Sequence, residues 1–250
     1  MPRKAREKSQ SGIYHIIMRG INRQNIFEDE EDYIKFKQTV MQYKDKSGYE
    51  IYAYCLMGNH VHLLIKVGRE PLEQIMRRIC GSYVYWYNLK YQRIGNLFQD
   101  RFKSEPVDDE SYLLTVVRYI HQNPLKVGSD IQYKWSSYKE YTGEAQLIET
   151  NVVLTILSED KGRAVKRFIE YNSETNKEKC LDIEEKQRIT DQEAMNIIKE
   201  VCNLKYATEI QNFDPLKRDK CLKEIKEKYS LSIRQIERLT GINRGIVSRV

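Results

Sequence analysis

No apolar run in this 250-residue sequence approaches the roughly 20 residues that a bilayer crossing needs. The opening segment, Met-Pro-Arg-Lys-Ala-Arg-Glu-Lys, is basic, and no apolar stretch of signal-peptide type follows it. A soluble, cytoplasmic chain with no membrane partner is therefore expected. The five cysteines (55, 80, 180, 202 and 221) form no CxxC pair, and an odd number without a signal argues for reduced thiols. A phosphate-cradling GxxxxGK[ST] loop is absent, and with it the sequence basis for a nucleotide cofactor. Internal repeats and low-complexity tracts are missing too. Histidine is scarce, with four in the whole chain.

What is present suits one large domain, or one domain with a smaller appendage. Hydrophobic residues make up 40% and charged residues 31%, enough of each for a packed core and a solvated surface. The net charge of +6 is spread unevenly. Residues 1–143 carry 22 basic against 17 acidic side chains, residues 144–213 carry 10 against 14, and residues 214–250 carry 10 against 5. Two basic regions thus flank an acidic one. Basic regions attract polyanions, nucleic acid above all, because each neutralised phosphate releases counterions. The same excess also suits an ordinary solubilising surface. The 18 tyrosines offer faces that stack on unpaired bases.

Alternation and punctuation predict strands at 13–19, 50–56 and 60–67, the last two joined at Gly58-Asn59. A helix is expected over 29–46, with Tyr33, Phe36, Val40 and Met41 on its apolar side and Gly48 ending it. Pro71 opens a second helix carrying Leu72, Ile75, Ile79, Tyr83 and Trp86 at helical spacing. "RFKSEPV" reads as a further strand cut by Pro106. A third helix, capped by Asp108 or Asp109, runs to about Asn123, where Pro124 ends it. The reading is α+β: an antiparallel sheet with helices on one face, then a small all-α C-terminal region. The boundaries are 1–143, a helical connecting region over 144–213, and 214–250.

The last 19 residues carry helix-turn-helix punctuation. Ser232 caps one helix with Ile233, Ile236 and Leu239; Gly241 makes the turn; Asn243 caps a second helix with Ile246 and Val247 inward. Arg244, Ser248 and Arg249 then face outward, as groove-reading residues do. Two helices packed through a glycine turn are also a common structural unit.

"GNHVHLLIKV" spends two of the four histidines at alternate positions of a strand. His60 and His62 therefore share one face, while Val61, Leu63, Ile65 and Val67 form an apolar row on the other. That row is expected to pack on helices, leaving the histidine face outside the core. Two imidazoles so placed can hold one metal ion or grip one phosphate; equally, they can be half-buried and satisfied by carbonyls. Further ligands by residue type are His15 and His121. On the third helix Tyr112, Thr115, Tyr119 and Asn123 form one stripe, Leu113, Val117 and Ile120 the buried face, and His121 points about 200° away from Tyr119. An Asn123 amide oxygen is able to complete a metal site. A tyrosine at a core margin and an asparagine before Pro124 explain the same pattern structurally.

"YHIIMRG", "CLMGNHVHLLI", "GNLFQDRFKSEPV", "YLLTVVRYIHQNPLKVG" and "WSSYKEY" resemble, in order and spacing, the single-tyrosine HUH transposases, the REP-associated tyrosine transposases most of all. The resemblance covers about residues 10–143. It implies a ferredoxin-like HUH sheet, His60 and His62 as metal ligands with Asn123 as the third, and Tyr119 as nucleophile. It also implies a divalent ion (Mg²⁺ or Mn²⁺), no nucleotide cofactor, and single-stranded or hairpin DNA as the partner of a monomer or homodimer. The function so implied is a transposase, nicking single strands through a 5′-phosphotyrosine intermediate. The basic N-terminal segment, Arg19, Arg23 and Arg101 are then candidates for phosphate contacts. Gly58 stands where the family usually has Pro, and a looser turn is expected there. Two rival readings remain at this level: an inactive, site-specific DNA-binding regulator derived from a transposase, and a zinc hydrolase using the HxH pair.

Overall fold

The computed structural model describes residues 6–174, 180–182, 191–229 and 231–250. It divides into two compact units, 1–183 and 184–250. The boundaries read from charge, at 143 and 213, fall inside these units.

In the first unit β1 (Ile13–Arg19), α1 (Glu30–Ser47), β2 (Glu50–Met57), β3 (His60–Lys66), α2 (Leu72–Lys90) and β4 (Lys103–Pro106) follow one another in ferredoxin-like order. The sheet is antiparallel throughout, with strand order β2-β3-β1-β4. Local chemistry sets the boundaries. Asp29 caps α1, in a capping box with Asp32, and Gly48 ends it in the left-handed region at φ 68°. Pro106, which has no N–H to give a ladder, sits at the end of an edge strand. Met41 does not join the apolar side of α1; it is 48% exposed.

Gly58 is held more firmly than expected. Its carbonyl accepts from the Ile26 and Phe27 amides at 2.8 and 3.2 Å, so the loop before α1 pins the β2–β3 turn. β2 is buried along almost its whole length because residues 135–137 cover its outer side. Leu56 N donates to Trp135 O, and Ser137 N donates to Tyr54 O. The edge is thereby closed to further pairing.

The expected one-sided helix layer is the part that differs. α1 and α2 do cover the face carrying Met18 and Leu63: Cys80 of α2 touches Met18, and Phe36 of α1 meets Tyr83 of α2 edge-on at 5.1 Å. The opposite face, which carries the histidines, receives α3 (Glu110–Gln122), whose Tyr119 ring lies 5.7 Å from His62. α3 is itself overlaid by α5 (Asn151–Leu157) and α6 (Lys161–Ser173), after the short α4 (Tyr138–Thr142). Leu113, Val117 and Ile120 are buried as read, but so are Val116, Arg118 and His121. The histidine face is therefore inside the core.

The second unit holds α7 (Asp191–Cys202), α8 (Pro215–Lys228), α9 (Ile233–Thr240) and α10 (Arg244–Arg249) around its own core of Ile198, Ile210, Leu222, Ile225, Ile236 and Val247. Ser232 and Asn243 cap α9 and α10, and Gly241 turns between them at φ 72°. Among the described residues no helix is long and apolar enough to cross a membrane. All five cysteines are free.

Candidate functional site

Strand alternation and register bring the site together. On one face lie His60 and His62 of β3, His15, Ile17 and Arg19 of β1, and Glu105 of β4; His62 pairs with Ile17, His60 with Arg19, and His15 with Glu105. His60 is half-buried and its ring meets that of His62 edge-on at 5.1 Å. His62 is fully buried. Its Nδ1 lies 3.1 Å from His15 Nε2, and His15 Nδ1 lies 2.8 Å from Glu105 Oε1. The other ring nitrogen, His62 Nε2, is buried and has no hydrogen-bond partner among the described residues.

His60 is oriented in a similar way. Asn59 donates through Nδ2 to the Arg23 carbonyl, so its Oδ1 is turned to His60 Nδ1, 2.7 Å away. Burial, followed by the positive Arg19, pushes the His60 pKa down to about 4. Burial and the neighbouring His15 and His60 hold His62 well below its ordinary value. Both imidazoles are therefore neutral at pH 7, as metal ligands must be. Burial opposes the Glu105 carboxylate, but hydrogen bonds from His15 and the Leu181 amide outweigh it and keep its pKa below the ordinary carboxylate value.

α3 supplies the remaining groups. Asp109, not Asp108, caps it, accepting from Tyr112 N at 2.7 Å. Tyr119 and Asn123 are one turn apart, and Asn123 Nδ2 donates to the Tyr119 carbonyl at 2.8 Å. A carbonyl only accepts, so the orientation of this amide is fixed and Oδ1 is its free acceptor end. The Tyr119 ring packs edge-on against both His15 and His62. Its hydroxyl accepts from Lys126 Nζ at 3.0 Å, and the same ammonium reaches Asp182 at 3.1 Å. Burial, then the hydrogen bond to Asp182, holds the Tyr119 pKa above that of a free phenol.

The other sequence candidates are dispersed. His121 is buried on the far side of α3, bonded to Ser137 Oγ at 2.8 Å and ringed by Tyr138, Tyr141 and Phe168. His15 stands behind His62 rather than beside it as a third ligand. Tyr112 hydrogen-bonds Glu105. Arg19 ends β1 opposite His60, and the Arg23 carbonyl braces Asn59. Arg101 lines a cleft with Met18 and Cys80, on the side of the sheet away from the histidines. Residues 1–5 of the basic N-terminal segment lie outside the described residues. In the second unit Arg244, Ser248 and Arg249 are exposed while Val247 is buried, as the punctuation implied.

Sequence reading missed Glu105, Lys126 and Asp182. Lys126 had a signal, since Tyr119, Asn123 and Lys126 continue the i, i+4, i+7 stripe. Glu105 needed the β1–β4 register, and Asp182 is 63 positions from Tyr119 with no pattern linking them. Among the described residues no three His, Cys, Asp or Glu side chains converge as a metal cluster. Two histidines and an amide are a different donor set. The buried, partnerless Nε2 is an observation such a set accounts for.

Residues 8–123 match the family described as Transposase IS200 like. A REP-associated tyrosine transposase bound to a REP hairpin is similar at 18% identity and a TM-score of 0.49, over 58% of this chain and 87% of that one. A protein from Deinococcus radiodurans R1 assigned as a transposase is similar at 19% identity and a TM-score of 0.35, over 48% of this chain and 97% of the other. No curated protein matches.

Proposed function

Since residues 8–123 match the family of the IS200-like transposases, we propose that this chain is one of them and that it nicks and rejoins single-stranded or hairpin DNA through a covalent 5′-phosphotyrosine on Tyr119. The observation that carries the reading is the Tyr119 ring set against His62, whose buried Nε2 has no protein partner among the described residues.

Tyr119 Oη attacks the scissile phosphorus; the phosphorus–Oη bond forms and the phosphorus–O3′ bond breaks, with the 3′ oxygen leaving as a hydroxyl that takes its proton from water. The phenol proton passes to Asp182, the carboxylate already hydrogen-bonded to it. Lys126 then faces a phenolate oxygen when a 3′ hydroxyl attacks the phosphotyrosine and Tyr119 departs. One phosphodiester is exchanged for another, so no nucleotide is consumed. His60, His62 and the Asn123 amide oxygen fit a divalent ion such as Mg²⁺ or Mn²⁺, which when bound supplies Lewis-acid polarisation of the scissile phosphate. Arg19 and Arg23, beside the β2–β3 turn, and Arg244, Ser248 and Arg249 on α10 are the candidates for DNA contact; Arg101 is a candidate only for strand lying over the other sheet face.

The experiment is incubation of the full chain with labelled single-stranded and hairpin DNA in Mg²⁺ or Mn²⁺. A covalent protein–DNA adduct is expected, absent on chelation. DNA bound without any adduct in either metal would instead favour the inactive regulator.

A further inference from the structure

The Glu105–His15–His62 chain has a directional logic that the reaction itself does not require. A carboxylate only accepts hydrogen bonds, so His15 Nδ1, 2.8 Å from Glu105 Oε1, must carry a proton. Neutral His15 is then bare at Nε2 and must accept from His62 Nδ1, 3.1 Å away. Neutral His62 in turn is bare at Nε2. The opposite arrangement needs a doubly protonated, fully buried His15 and turns His62 Nε2 into a buried N–H facing no acceptor among the described residues.

We propose that Glu105 and His15 are positioning residues that fix the His62 tautomer, keeping a lone pair on Nε2 for the metal ion. The inference rests on the metal reading above. The sheet builds the relay by register: Glu105 lies directly opposite His15, and His15 lies diagonal to His62, all on one face. Leu181 N donates to the same Glu105 oxygen at 2.8 Å, which holds the carboxylate in place. Outer groups that orient a ligating histidine in this way typically change metal affinity by about 10–100-fold when removed.

The test has two parts. First, ¹⁵N histidine NMR on the metal-free full chain at neutral pH should find His62 protonated at Nδ1 and bare at Nε2. Second, Mn²⁺ affinity, followed by electron paramagnetic resonance, should weaken about 10–100-fold in Glu105→Leu and in His15→Phe. Glu105→Gln, which keeps an acceptor oxygen, should stay within a few-fold of wild type. A His62 protonated at Nε2, or wild-type affinity in Glu105→Leu, would overturn the proposal. Wild-type chain that binds no Mn²⁺ would bring down the metal reading together with this one. A variant that fails to fold leaves the wild-type NMR result to decide.

Discussion

Removing the Tyr119 hydroxyl tests the nucleophile proposed above apart from DNA binding. Tyr119→Phe should keep fold and DNA affinity and form no adduct, while Tyr112→Phe, which removes a hydroxyl bonded to Glu105 rather than one beside Lys126, should still form it; a denaturing gel with labelled DNA distinguishes the two. Lys126→Met should slow adduct formation by about 100-fold, the usual cost of one lost donor to a reacting oxygen; an unchanged single-turnover rate would remove Lys126 from the chemistry. If His60 and His62 share one ion, either Ala variant should lose most cleavage and the double variant little more; additive losses would exclude a shared ion. The residues of this site were legible unequally. Strand and helix periods place His60 beside His62 and Tyr119 beside Asn123, but it is the motif resemblance that singles the four out. Glu105 and His15 matter to each other only once β4 is registered against β1, which no local pattern states.

At the scale of elements, caps and turns were the most legible features, because Gly48, Ser232, Gly241, Asn243 and, as one of two candidates, Asp109 act within a few residues of their own backbone. α3 was read as one-sided because α5 and α6, which cover its outer side, lie 30–60 positions later. Two glycines next to the site differ sharply in what they tolerate. A Cβ on Gly58 meets Asn25 Oδ1 at an ordinary 3.6 Å, so Gly58→Ala should change stability by less than about 0.5 kcal/mol. A Cβ on Gly20 runs into the Gln24 carbonyl, which is backbone and cannot swing away. Gly20→Ala should cost about 1–3 kcal/mol, read as a lowered urea midpoint with unchanged slope. Equal midpoints for the two variants would contradict this account of the loop.

Across the whole molecule the described residues form two hydrophobic cores, and that decides where the chain can be cut. Removing only α9 and α10 takes Ile236, Ile242 and Val247 out of the second core that they share with Ile198 and Leu222. Ending the chain at residue 183 removes that core entire. Such a truncation should still cleave a short single strand while binding duplex or hairpin DNA more weakly, with a shallower dependence on salt. Undiminished duplex binding at matched salt would take the DNA-contacting role away from Arg244, Ser248 and Arg249. The charge pattern changes at 143 and 213 and the compact units divide at 183, because charge lies on surfaces and the join is set by which apolar side chains share an interior.

The pairing of β1 with β3 has a final consequence. His15, Arg19, His60 and His62 reach one face through a single register, and a slip by one residue turns every side chain of the shifted strand to the other side. A slip of β3 therefore removes His60 and His62 together, never one alone. A weakened preparation of this protein should therefore contain fewer competent molecules, each working at the normal speed, rather than a uniform crowd of slow ones. Titrating the adduct burst against total protein counts the competent fraction directly.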